Sequence, residues 1–175
     1  MRPEVTTLKS RHSRRAFVTL GLAALAVGFS SKSNRAGPAN AAVTAEIGYM
    51  TPDSAHKAAL AGEIILIDIR SPAEWLQTRV AEGAVGLDMR DKAFVPTLVA
   101  LRRDNPDLPI ALICRTGNRT GYVTETLANQ GFDGLVDVNE GMAGGQNGPG
   151  WLKRGLPTYA GTPELIALHR SILLP

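Results

Sequence analysis

Cys114 is the only cysteine in this 175-residue chain, and it closes the apolar run Ile110 to Ile113 just before Arg115-Thr116-Gly117-Asn118-Arg119. A buried strand that delivers a thiol into a tight polar loop opening a helix sets up nucleophilic chemistry, because ligands of open α/β sheets gather at the carboxyl ends of strands. Gly117 can adopt a positive φ, which lets successive backbone N–H groups turn toward one point, and the helix that follows adds its N-terminal partial charge. Arg115 and Arg119 bring two more positive charges beside the sulfur, so the surroundings favour thiolate over thiol. The thiolate is the attacking form, and the same charges suit an anionic reactant. A lone cysteine after Ala111-Leu112-Ile113 would by itself be inert core, but two arginines, a glycine and an asparagine within five residues make poor core.

The elements that must hold this loop are legible nearby. Ile64 to Ile69 is a continuous apolar and β-branched run, the pattern of a strand buried on both faces of a parallel sheet, and Pro109 to Ile113 is a second. Gly134 to Val138 and the short Ala84 to Leu87 segment read as further strands. Thr51 caps a helix from Pro52 that ends near Gly62, Pro72 to Gln77 forms another, and Arg119 to Asn129 forms one closed by Gly131. Asp91 to Arg103 reads as an amphipathic helix kinked near Pro96, with Phe94, Val95, Leu98, Val99 and Leu101 as its apolar side. Residues 162–173 form a tail helix capped by Thr162, whose apolar stripe is expected to face its own domain. Gly141 to Gly150 reads as a flexible connection, since no Gly-Lys-Ser/Thr follows it. Strands alternating with helices give an α/β class with a central, mainly parallel sheet.

The Cys114 to Arg119 loop resembles the six-residue active loop of rhodaneses. Leu66-Ile67-Asp68-Ile69-Arg70 with Glu74-Trp75 is similar to that family's first strand and the segment after it, and Gly141 with Trp151-Leu152-Lys153 and Gly155-Leu156-Pro157 resembles its closing motif. These segments span about residues 51–158. The resemblance implies a rhodanese-like fold, its sheet flanked by helices on both faces, and sulfurtransferase activity. Cys114 would attack the outer sulfur of an anionic donor such as thiosulfate, release sulfite, and hold a persulfide until a thiol, cyanide or protein acceptor takes it. Arg115, Thr116, Gly117, Asn118 and Arg119 would bind the donor, and Asp68 with Arg70 would be structural support, an ion pair fixing the strand end. Where the family has a His-Ile-Pro-Gly-Ala segment, this chain has Arg79-Val80-Ala81-Glu82-Gly83-Ala84, so Arg79 adds a charge near the pocket rim or points to solvent.

Rival chemistries fit less well. A cysteine phosphatase loop needs five residues between cysteine and arginine, and only Arg115, Thr116, Gly117 and Asn118 stand here, too few to seat a tetrahedral phosphate. His56 and His169 lie far apart and no Cys/His cluster has ligand spacing, so no metal or other cofactor is expected. A lone thiol also lacks the resolving partner of a dithiol oxidoreductase. The alternative from another class is a non-catalytic or persulfide-carrier module that docks on a protein partner; an oxidant-sensing thiolate is a third reading.

Residues 1–41 hold seven Lys/Arg and one acid, leaving 12 basic against 15 acidic residues, net −3, in 42–175. The basic balance therefore belongs to the leader, and the domain offers no general field for nucleic acid or anionic lipid. Ser13-Arg14-Arg15-Ala16-Phe17, an apolar run to Phe29 and Ala39-Asn40-Ala41 resemble a twin-arginine export signal cleaved after Ala41, with Ala45 the second choice. Export places the single domain 42–175 in the periplasm or outside the cell, with no stable membrane span after cleavage. With one cysteine, no disulfide can form within the chain.

Overall fold

The structure is a computed structural model that describes residues 45–173; the leader expected over residues 1–41 lies outside the described residues. In chain order the elements are β1 (Gly48–Tyr49), α1 (Pro52–Leu60), β2 (Ile65–Asp68), α2 (Pro72–Thr78), β3 (Val80–Ala81), β4 (Ala84–Gly86) and α3 (Phe94–Asp104). They continue with β5 (Ile110–Ile113), α4 (Asn118–Ala128), β6 (Leu135–Asp137), α5 (Gly150–Lys153), β7 (Thr158–Tyr159) and α6 (Pro163–Leu173). Five strands pair in parallel in the order β1-β6-β5-β2-β4, and β3 pairs antiparallel with β7 beside them.

Every residue of β2 and β5 is buried, as continuous apolar runs require in a sheet covered on both faces. Alternation along the strands splits the core in two. Leu66, Ala111, Ile113 and Val136 face α1, α2, α5 and α6 through Ala55, Trp75, Trp151 and Ile166. Ile67, Leu112, Cys114 and Leu135 face α3 and α4 through Phe94, Leu98, Val123 and Leu127. The α/β class with a mainly parallel sheet flanked by helices on both faces is thus the architecture observed.

Helix starts follow local chemistry. Thr51 caps α1 by accepting the Ser54 N–H, and Ser71 and Glu74 close a reciprocal capping box on α2. The helix expected from Asp91 begins instead at Phe94, because the Asp91 carboxylate accepts the Ala93 N–H at 2.9 Å and its carbonyl accepts that of Phe94. Pro96 then falls in the first turn, where its missing N–H costs nothing, and α3 runs on without the expected interruption. Val95 and Val99, which periodicity places on the apolar side, are 45% and 52% exposed; Phe94, Leu98 and Leu101 make the buried stripe.

The tail helix docks through fewer residues than its stripe suggests. Ile166 is buried while Leu168 and Ile172 face solvent, and Arg170 Nε donates to the Gly86 carbonyl at 2.7 Å. His169 stacks on Tyr159 with ring centroids 4.0 Å apart. The lead-in to α6 is pressed onto α2: a Cβ at Gly161 would stand 2.3 Å from the Trp75 carbonyl oxygen. Gly161→Ala should therefore destabilise the fold by about 1–3 kcal/mol, read as a lower urea midpoint at unchanged slope; an unmoved midpoint would show that this approach carries no strain.

Candidate active site

β5 ends at Ile113 and hands Cys114 to a turn whose hinge is Gly117, in the left-handed region at φ 90 and serving as N-cap of α4. The Gly117 N–H donates to Cys114 Sγ at 3.2 Å. Thr120 Oγ1 lies 3.7 Å from the same sulfur and donates to the Gly117 carbonyl at 2.8 Å, so the first turn of α4 closes over the thiol. Cys114 itself is fully enclosed, part of the core on the α3–α4 face. The residue is both core and loop: apolar neighbours on one side, the Gly117 N–H on the other.

The donor-binding candidates separate in space. Arg115 and Asn118 are exposed, Thr116 and Arg119 half-buried, and Gly117 buried. Arg119 does not reach toward the sulfur with a free fork; its guanidinium grips the Glu74 carboxylate twice, at 2.8 and 2.5 Å. That grip holds the Glu74 carboxyl down at about 2, against an ordinary 4.5, with burial opposing it. Arg115 makes no side-chain hydrogen bond or ion pair among the described residues, and it lines a cavity of about 140 Å³ with Arg70, Glu74, Met142, Ala143 and Leu152.

Asp68 and Arg70 point to the opposite face of the sheet from Cys114. They form a buried ion pair, Arg70 Nη2 to Asp68 Oδ2 at 2.6 Å, and the same guanidinium donates to Thr78 Oγ1 and the Arg79 carbonyl. It thereby ties the end of β2 to the end of α2. Arg79 is exposed, the second of the two placements expected for it. Its backbone sits at φ 63 and its guanidinium donates to Thr158 Oγ1 and the Thr158 carbonyl, joining the β3–β7 pair.

The Gly141 to Gly150 segment is not a bare connection. The N–H groups of Met142 and Ala143 donate to the carbonyls of Cys114 and Arg115, both at 2.8 Å, so this loop braces the thiol loop from outside. Glu140, buried just before it, accepts the Gly150 N–H and the Nε and Nη2 donors of Arg154. Glu74, Thr120, Glu140 and Met142 are thus the contributors that sequence reasoning did not assign. Only the Glu74 capping box left a local signal, in Ser71-Pro72-Ala73-Glu74.

Two outcomes follow from this geometry. A Cβ at Gly117 would stand 1.8 Å from the Asn139 carbonyl oxygen, and φ 90 strains any other residue. Gly117→Ala should cost at least roughly 1–3 kcal/mol and should expose Cys114 to alkylation; an unchanged urea midpoint with unchanged alkylation would refute the interlock. Glu74 is a depressed carboxyl, so its stabilisation is complete above 4.5 and disappears as pH falls toward about 2. The urea-midpoint gap between wild type and Glu74→Gln should be open at pH 6 and shrink to about a quarter of its size at pH 2.5. A gap that stays constant would show that Arg119 does not favour the charged form.

Residues 51–147 match the family model described as Rhodanese-like domain. An uncharacterized protein of Rickettsia prowazekii is 26% identical over 102 residues, covering 53% of this chain and 80% of its own length. An uncharacterized Synechocystis protein is 28% identical over 116 residues, covering 62% of this chain and 54% of its own length. Among solved structures, Rv0390 from M. tuberculosis aligns at 25% identity and TM-score 0.50 over 65% of this chain and 97% of its own. The homodimeric polysulfide-sulfur transferase of Wolinella succinogenes aligns at 26% identity and TM-score 0.49, over 67% and 82% respectively. With a family model spanning more than half its length and a parallel sheet that delivers its one cysteine into the loop between β5 and α4, this chain belongs to the rhodanese-like domain family.

Proposed function

We propose that this protein is a sulfurtransferase that carries sulfane sulfur on Cys114. The observation that supports the reading best is the Gly117 N–H donating to Sγ from the first turn of α4. A backbone donor at that place stabilises the negative charge that Sγ bears as it attacks and again as it leaves. In the first step Sγ, as thiolate, attacks the outer sulfur of a small anionic donor such as thiosulfate. A new S–S bond forms, the donor's S–S bond breaks, and sulfite leaves with the bonding pair. In the second step a nucleophilic acceptor, cyanide, a thiolate or a protein thiol, takes the outer sulfur and Sγ departs as thiolate.

Arg115 is the cation left over to meet the donor, since Arg119 is engaged by Glu74. Thr116, Gly117 and Asn118 supply the turn around the sulfur, and the neighbouring cavity of about 140 Å³ has the scale of a small anion. Asp68 and Arg70 support the floor. The full enclosure of Cys114 favours one second reading, a persulfide carrier loaded and unloaded by a protein partner that opens the loop.

Purified wild type should transfer sulfur from thiosulfate to cyanide and gain the mass of one sulfur atom on donor treatment, and Cys114→Ser should do neither. Wild type that neither turns over nor gains sulfur would overturn thiosulfate as donor and leave the carrier reading.

A further inference from the structure

A cavity of about 690 Å³ between α2, α6 and the loop after β4 has no part in the steps above. Its apolar wall is made by Pro72, Trp75 and Leu76 of α2 and by Pro163, Ile166 and Ala167 of α6. The space is preformed, because α6 is pinned on either side of it. Its lead-in is pressed onto α2 at Gly161, whose Cβ would stand 2.3 Å from the Trp75 carbonyl oxygen, and near its end Arg170 Nε donates to the Gly86 carbonyl at 2.7 Å. Ile166 and Trp75 meet over Gly86, where a Cβ would lie 2.8 Å from Ile166 Cδ1 and 3.1 Å from the indole. Closing the cavity would mean breaking these contacts. Concave, mostly apolar spaces of this scale with a few polar groups are where small molecules bind.

Four charged side chains line the same cavity: Asp88, Arg90, Asp91 and Arg170. Three of them are answered within the protein. Arg90 clasps Asp88 with two donors, Nε to Oδ1 at 3.0 Å and Nη2 to Oδ2 at 2.7 Å. Asp91 accepts the Ala93 N–H at 2.9 Å just ahead of α3, the helix end that favours negative charge. Arg170 is the exception. It is half-buried, its Nε is spent on a neutral carbonyl, and it has no ion pair and no further hydrogen bond among the described residues. A guanidinium held against an apolar wall with its terminal nitrogens unused is one half of a charge-assisted pair.

We propose that this cavity is a second binding site, for a small molecule with an apolar body and a single carboxylate. The body packs on Trp75, Leu76 and Ile166, and the carboxylate meets Arg170, whose planar fork matches a carboxylate with two parallel hydrogen bonds. A neutral head would leave Arg170 unanswered, and a cationic head would be repelled by it. Neither Cys114 nor Arg115 lines this cavity, so the site stands whether or not Cys114 carries sulfur.

The test is titration calorimetry of the whole chain with octanoate, octanol and octylammonium, which varies the head and holds the tail constant. Octanoate should bind, octanol at least roughly fivefold more weakly, and octylammonium more weakly still. Arg170→Gln should bring octanoate down to the level of octanol without moving octanol. Ala167→Trp, which fills the cavity from the exposed side of α6, should remove both, and Arg115→Gln should bind octanoate as wild type does. Failure of all three ligands to bind, equal binding of octanoate and octanol, or tighter binding of octylammonium would each overturn the site. So would octanoate binding that survives Ala167→Trp or falls with Arg115→Gln, since the anion would then lie elsewhere. If Arg170→Gln or Ala167→Trp fails to melt cooperatively, the three heads on wild type and the Arg115→Gln comparison decide.

Discussion

No side chain fits at position 117, because the Asn139 carbonyl occupies the place its Cβ would take. The turn after β5 and the loop after β6 are interlocked at that point, and again at Gly141, whose own Cβ would meet the Arg115 backbone at 2.6 Å. The interlock has a directional consequence. A trans peptide points its C=O and N–H opposite ways. Tying the carbonyls of Cys114 and Arg115 to Met142 and Ala143 therefore turns the N–H groups of the same peptide units away from the closing loop. Glycine at 117 then carries the chain through a positive φ into α4, so that its own N–H ends on the sulfur. The thiol's polar surroundings are thus a property of two loops held in contact, more than of the six residues of either one.

Charge is distributed around this interlock in closed pairs. Arg70 sits on Asp68, Arg119 on Glu74, and Arg154 on Glu140 and Asp53. The Asp68–Arg70 pair is almost wholly enclosed, a situation where the desolvation of both ions offsets much of their attraction. Its value lies in geometry, since one guanidinium spans the ends of β2 and α2. Arg119 is similarly occupied, so that of the two arginines in the loop Arg115 is the one without an ion pair among the described residues. Two arginines follow the cysteine in sequence, but their surroundings differ: one fixes α4 against α2, and the other is exposed with no side-chain hydrogen bond or ion pair among the described residues.

What the sequence made legible is what local physics decides. Continuous apolar runs marked β2 and β5, Thr51 and Ser71 marked helix starts, and Gly117 marked the turn. What it hid depends on partners far along the chain. Nothing near Arg119 announces Glu74, and nothing near Glu140 announces the Gly150 N–H. Glycine is ambiguous in the same way, because it serves a chain that needs freedom and a chain that has no room for a side chain. Gly141, Gly144 and Gly150 are both at once: each has a positive φ, and each would drive a Cβ to within 2.6 Å of backbone. Pro96 was misplaced for a smaller reason. The Asp91 side chain captures the amide ahead of α3 and moves its start forward by one turn.

Strand parity finally decides which groups share the sulfur's surroundings. Asp68 pairs in register with Ile113, so Asp68 and Arg70 point toward α2 and Trp151 while Cys114, one residue further along, points toward α3 and α4. The ion pair and the small cavity therefore lie on one side of the sheet's edge, and the thiol, Thr120 and Asp137 on the other. The loop from Cys114 to Asn118 is where the chain passes between the two faces. Arg115 lies on the cavity side of that crossing, while on the other side the apolar core of the α3–α4 face keeps water from the thiol and strengthens the few polar contacts it makes.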